Sequence, residues 1–286
     1  MARRVSALAA SALAALALSL SACDGIFFQP NDQFYYAPER FGLAHEELWF
    51  ESGDGTRLHA WYLPAIPLGA RQLGTIVFFH GNAANITNHV FAVRWLPRAG
   101  YAVLLFDYRG YGASEGEPDR ATAIADGVAA IQQARARAEG GPIIVYGQSL
   151  GGALAMASLA EAGTAGVRAL IVEASFRSYR EVARLVMDRS WLTWPFQYPV
   201  SWAFFSDELS PAEFWERIAE VPTLVVHRVG DGTVPFEAGR LLYESLPARD
   251  KTFWTVPGAG HITTFTLPEP AWRERLLEWL GEKALQ

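Results

Sequence analysis

An α/β architecture, with a mostly parallel central sheet and helices on both faces, is predicted for this 286-residue chain by three observations. Continuous apolar runs of strand length recur along it, helix-length segments separate them, and a short alternating pair precedes them all. The alternating pair occupies 47–51 and 57–63, joined through Gly53-Asp54-Gly55, a turn sequence that favours a hairpin. The apolar runs follow at 75–79, 101–106, 142–146, 169–172, 223–226 and 252–256. Uninterrupted hydrophobicity of this kind marks strands covered on both faces, because crossover helices shield each side. The helical stretches are 84–99, 119–138, 150–162, 179–188, 211–219 and 236–246. The fifth opens on Ser210-Pro211-Ala212-Glu213, which predicts a capping box with proline at the first helical position. Sites in open sheets of this type form outside the carboxyl ends of the strands.

The N-terminus reads differently. Arg3 and Arg4 precede an Ala/Leu/Ser-rich run over 5–20, and Ser21 and Ala22 come just before Cys23, the chain's only cysteine. This is the layout of an export signal over 1–22, and the run is shorter than the roughly 18–20 apolar residues of a spanning helix. Leu20-Ser21-Ala22-Cys23 resembles the bacterial lipobox, in which the cysteine thiol receives a diacylglycerol and the chain is cut before it. The resemblance implies an acylated Cys23 as the new N-terminus, with enough acyl chains for stable membrane anchoring. Asp24 directly after it implies retention in the cell envelope, on the outer face of the bacterial cytoplasmic membrane. An ordinary cleavage site followed by an incidental cysteine is the alternative. Residues 23–40 then form a lipidated tether rich in Phe and Tyr, leading to one domain over 41–286.

Composition bounds the chemistry. The formal charge of −6 becomes −8 once 1–22 is removed, since that segment carries two arginines and no acids. An acidic chain has no electrostatic footprint for nucleic acid. With 51% hydrophobic and 19% charged residues it can bury a large core. A single cysteine excludes an intramolecular disulfide and a cysteine-based metal site. No metal or organic cofactor is implied, and no protein partner can be inferred.

Gly147-Gln148-Ser149-Leu150-Gly151 stands between the 142–146 run and a helix, the setting a nucleophile elbow requires. A serine hydroxyl needs a hydrogen-bonded base, and the base an orienting carboxylate. Only His227 and His261 follow Ser149. His261 lies in a loop beyond the last predicted strand and is the expected base, whereas His227 ends a strand and reads as structural. Of Asp188, Asp207, Asp231 and Asp250, only Asp231 follows a strand after a short turn, at the edge where the serine stands. Its other reading is a turn residue between Gly230 and Gly232. His80-Gly81-Asn82 follows the 75–79 strand, so the backbone N–H groups of Asn82 and Leu150 are the expected oxyanion donors, with His80 bracing the loop.

HGNAANI, FDYRGYGASEG, GQSLGG, Asp231-Gly232-Thr233-Val234-Pro235 and GAGH occur in that order, and together they resemble the α/β-hydrolase superfamily. They are most similar to its serine-aminopeptidase-like and monoacylglycerol-lipase-like branch, over about 41–282. The resemblance implies the α/β-hydrolase fold, a structural role for Asp107 and a cap between the sixth and seventh sheet positions. Two departures stand out: Ala84 where glycine is frequent, and Arg228 after His227, which could alter access near the site.

The cap segment, 176–215, holds eleven aromatic residues in forty, too many and too broken by Pro195 and Pro199 to be one helix face. An apolar acyl pocket built from Trp191, Trp194, Phe196 and Trp202 is therefore expected. The expected function is a membrane-anchored serine hydrolase acting on small-molecule or lipid acyl esters or thioesters, through Ser149, Asp231 and His261. Peptide or amide hydrolysis, or an idle hydrolase scaffold serving envelope binding or assembly, are the alternatives.

Overall fold

The computed structural model describes residues 27–66, 72–138, 140–267 and 269–285. Cys23 and the predicted export signal lie outside them. Eight strands form the central sheet: β1 (Glu46–Glu51), β2 (Arg57–Leu63), β3 (Gly74–Phe79), β4 (Tyr101–Phe106), β5 (Ile143–Gln148), β6 (Val167–Glu173), β7 (Thr223–Gly230) and β8 (Lys251–Ala259). Their spatial order is β8-β7-β6-β5-β3-β4-β2-β1, and only β2 runs against its neighbours. Every residue of β3, β4 and β5 is buried, as their unbroken apolar sequences require. The β1–β2 hairpin pairs Glu51 with Arg57 across the Gly53-Asp54-Gly55 turn.

Helices cover both faces. α1 (Ile86–Val93) and α7 (Pro270–Lys283) pack on one side, burying Val90, Val93, Leu276 and Leu280. On the other lie α2 (Arg120–Arg137), α3 (Leu150–Ala162) and α6 (Phe236–Ser245). α4 (Tyr179–Asp188) and α5 (Gln197–Phe204) form the cap between β6 and β7. α2 carries a capping box, Asp119 with Thr122. Ser210 carries none: 211–219 forms two short 3₁₀ turns, Pro211–Glu213 and Trp215–Ile218. The reason is competition, because the Ser210 hydroxyl accepts from Tyr179 N–H and donates to Asp207 instead. The predicted 84–99 helix likewise ends at Val93, with a separate 3₁₀ turn at Pro97–Ala99. α7 is not among the predicted helices, although its Leu276, Trp279 and Leu280 spacing is helical.

The N-terminal segment lies against the domain. Gln29–Pro30 pairs in parallel with Ala83–Ala84, and Gly112 N–H and Asn85 Nδ2 both donate to Asn31 O. Among the described residues no helix is long and apolar enough to cross a membrane.

Candidate active site

Where β5 ends and α3 begins, Ser149 alone turns the chain, at φ 55° and ψ −121°. A serine held there stores about 1–3 kcal/mol of strain, so its surroundings must enforce the conformation. They do: its N–H donates to Glu173 O at 2.8 Å, tying the turn to β6. The turn also excludes side chains, since a Cβ on Gly147 would lie 2.4 Å from Gly151 O, and one on Gly151 2.2 Å from Phe79 O. Leu150 opens α3, so its N–H is one of the terminal donors that a helix leaves free and that favour an anion.

The loop after β3 meets this turn: a Cβ on Gly81 would be 3.8 Å from the Ser149 Cβ. The peptide carrying the Asn82 N–H is held at its carbonyl, because His80 Nδ1–H donates to Gly81 O at 2.7 Å. Asn82 O in turn accepts from Tyr111 Oη–H at 2.7 Å and from Gln29 N–H at 3.0 Å. Burial, with the nearby His89, holds the His80 imidazole neutral by pushing its pKa well down. Asp107 sits behind the loop, accepting from Ile86 N–H at 2.9 Å and facing His80 Nε2 at 3.5 Å. It is fully buried and also faces His59 Nδ1 at 3.6 Å, which places it in a bracing position.

Asp231 lies just beyond β7, and His261 just beyond β8. His261 Nδ1–H donates to Asp231 Oδ2 at 2.8 Å, while the other carboxylate oxygen accepts from Thr233 and Val234 N–H at 2.8 and 3.0 Å. Burial alone would raise the Asp231 pKa, but hydrogen bonds from His227, His261 and Thr233 outweigh it and hold the carboxyl below the usual carboxylate range. His227 Nε2–H donates to Val234 O at 3.0 Å and faces Asp231 at 3.5 Å from the buried side. An ionised aspartate thus fixes the tautomer of His261, leaving its Nε2 as the basic atom.

A family model described as serine aminopeptidase, S33, matches residues 70–211. The YfhR protein of Escherichia coli O157:H7 is 31% identical over 84% of this chain and 80% of its own. The chain belongs to the α/β-hydrolase superfamily, in this serine aminopeptidase branch. The α/β-hydrolase is also 30% identical to lysophosphatidylserine lipase ABHD12 of Macaca fascicularis, over 77% of this chain and 60% of that one. Among solved structures it is similar to the Pyrococcus furiosus esterase Pf2001, with a TM-score of 0.70 over 90% of this chain and 98% of that one, at 19% identity.

Two residues that support the α/β-hydrolase's site are absent from the predicted set. Glu173, ending β6, is fully buried and accepts from Tyr146 Oη–H at 2.5 Å, Gln148 Nε2 at 2.7 Å and Thr264 N–H at 2.9 Å. It connects the strand ends around Ser149 to the loop carrying His261. Its signal in the sequence is a lone acid closing an apolar run. Arg189, at the end of α4, donates to Asp231 O at 2.5 Å and Gly232 O at 3.1 Å, joining the cap to the acid's loop. No sequence pattern announces that contact.

Two expectations are corrected. Arg228 does not reach toward the site: it is buried, donating to Pro257 O and pairing with Glu269 at 2.7 Å. Trp191, Trp194, Phe196 and Trp202 do not wall an enclosed acyl pocket, for they are 87%, 57%, 57% and 76% exposed. They lie on the stretch after α4, the 3₁₀ turn Trp194–Phe196 and α5, and stand on the cap's outer surface. Trp202 instead lines an open groove with Arg184 and Tyr198, away from Ser149. Among the described residues no group of three or more His, Cys, Asp or Glu is placed to hold a metal ion.

Proposed function

We propose that this α/β-hydrolase is a membrane-anchored, extracytoplasmic serine hydrolase that cleaves carboxylic esters or thioesters with apolar acyl groups. The observation carrying this reading is the set of groups at the carboxyl ends of neighbouring strands: strained Ser149 after β5, buried Asp231 after β7 bonded at 2.8 Å to His261 after β8, and the oriented Asn82 loop after β3. His261 Nε2 takes the Ser149 proton as Oγ attacks the acyl carbon. The N–H groups of Asn82 and Leu150 receive the oxyanion, each such donor typically contributing about 3–4 kcal/mol. Collapse expels the alcohol or thiol, which takes the proton back from His261. Water, activated by the same imidazole, then attacks the acyl-enzyme, releasing the acid and restoring Ser149. Asp231 stays ionised and stabilises the imidazolium.

The apolar acyl preference draws support from the lipase named among the relatives. Anchoring through acylated Cys23, on the outer face of the cytoplasmic membrane, draws support from the lipobox-like segment and Asp24. Peptide or amide hydrolysis is the second reading, favoured by the description of the matching family.

The test is turnover of p-nitrophenyl esters from acetate to palmitate beside a matched amide, with Ser149→Ala as control. Serine-dependent ester cleavage that peaks at medium or long chains is expected. Amide cleavage in preference supports the second reading, and full activity in Ser149→Ala overturns the nucleophile. Absence of fluorophosphonate labelling would leave the idle scaffold.

A further inference from the structure

We propose that the outer face of the cap, over 191–204, docks on the surface of a phospholipid bilayer, and this rests on the reading above of a membrane-anchored acyl hydrolase. The stretch exposes Trp191, Trp194, Phe196, Tyr198, Trp202 and Phe204, each by more than half. Six such rings present roughly 800 Å² of apolar surface, above what a monomer ordinarily leaves to water. Trp and Tyr are the side chains that settle at a membrane–water interface, with an apolar body and a polar tip. Beside them the Arg184 guanidinium lies over the Tyr198 ring, 5.3 Å from its centroid, where it can meet a headgroup phosphate.

The route of the N-terminal chain selects a membrane as the occupant. The Phe27 ring packs on the cap, 4.8 Å from Tyr179 and 5.8 Å from Phe205, between ring centroids. Cys23 precedes it by four residues, a span of at most about 14 Å. An acyl anchor on Cys23 therefore enters the bilayer next to this face of the protein. Arg189, two residues before Trp191, holds the carbonyls of Asp231 and Gly232, so a docked cap brings the acid's loop to the lipid surface with it.

The test uses the full chain with phosphatidylethanolamine/phosphatidylglycerol vesicles whose acyl chains are brominated, and reads tryptophan fluorescence. A second protein carries Leu192→Asp and Phe204→Asp, two exposed sites whose new charges oppose insertion. Quenching is expected in the wild type, with at least a twofold loss of quenching in the variant. Hydrolysis of a vesicle-borne long-chain ester falls at least fivefold in the variant, while soluble p-nitrophenyl butyrate is cleaved at the wild-type rate, which also shows that the variant is folded. No quenching in the wild type, or equal quenching in both proteins, overturns the docking. Self-association through this face in place of vesicle binding overturns it as well. Quenching by a wild type that cleaves neither ester leaves docking intact and removes the catalytic reading instead.

Discussion

Replacing Glu173 with alanine withdraws one buried carboxylate from three donors at once. Gln148 Nε2 keeps a partner, because it also donates to Tyr146 Oη at 2.9 Å. The Tyr146 hydroxyl and the Thr264 N–H do not, and both are buried. At about 1–3 kcal/mol for each stranded buried donor, the substitution costs about 2–6 kcal/mol. In a domain of this size each kcal/mol lowers the melting temperature by about 2–4 °C, so a fall of roughly 10 °C is expected. Glutamine retains one carbonyl oxygen, and Gln148 Oε1, without a hydrogen-bond partner among the described residues, can turn to accept from the new amide. That variant loses about 1–2 kcal/mol. The catalytic effect follows from the Thr264 bond, which fixes the loop three residues beyond His261. A misplacement near 1 Å at a reacting group costs about 100-fold, so kcat for p-nitrophenyl butyrate falls about 10–100-fold in Glu173→Ala with KM little changed. Thermal unfolding and steady-state kinetics on the three proteins check this. An alanine variant with wild-type melting and wild-type kcat would refute the role given to Glu173.

Ser149→Gly relieves the positive φ and is expected to raise the melting temperature by about 2–4 °C while ester turnover disappears; unchanged or lower stability would show that the elbow stores no strain. Asp231→Asn turns an amide donor toward His261 Nδ1, reversing the tautomer, so kcat falls about 10³–10⁴-fold on the same assay. The same variant tests acid stability. The folded Asp231 pKa lies below the ordinary 3.8, so its contribution is complete above about pH 4 and is lost as pH falls further. Asn at this position flattens the acid limb of a melting-against-pH curve, and an unaltered limb would contradict the assignment. Ala84 stands at φ 63°, a conformation that suits glycine; Ala84→Gly is expected to stabilise the fold by about 0.5–1 kcal/mol in chemical denaturation.

The sheet was legible because each central strand is shielded on both faces and so carries an unbroken apolar run, as 101–106 does. Ser149 was legible because glycines are forced on either side of it by backbone contacts of 2.4 and 2.2 Å. Asp231 and His261 followed from their places after strands. Less was legible wherever a side chain had two uses. Ser210 could cap a helix by pattern, yet its hydroxyl serves Tyr179 and Asp207. Aromatic density over 176–215 announced apolar surface without saying which way it faced; that depends on the length and pitch of α4 and α5. Arg189 and Glu173 act through tertiary contacts of sequence separation 42 and 91, which no local spacing records.

The pairing of Gln29–Pro30 with Ala83–Ala84 also makes the segment leading into the domain a part of the site's frame. That segment is stitched to a loop more than fifty residues further along, and Gln29 reaches as far as the Tyr111 hydroxyl. The carbonyl of Asn82 therefore depends for one of its two partners on the segment that leads into the domain. A chain shortened past Gln29 would lose one of the two bonds that hold the Asn82 carbonyl, and with it part of the frame behind the candidate oxyanion loop.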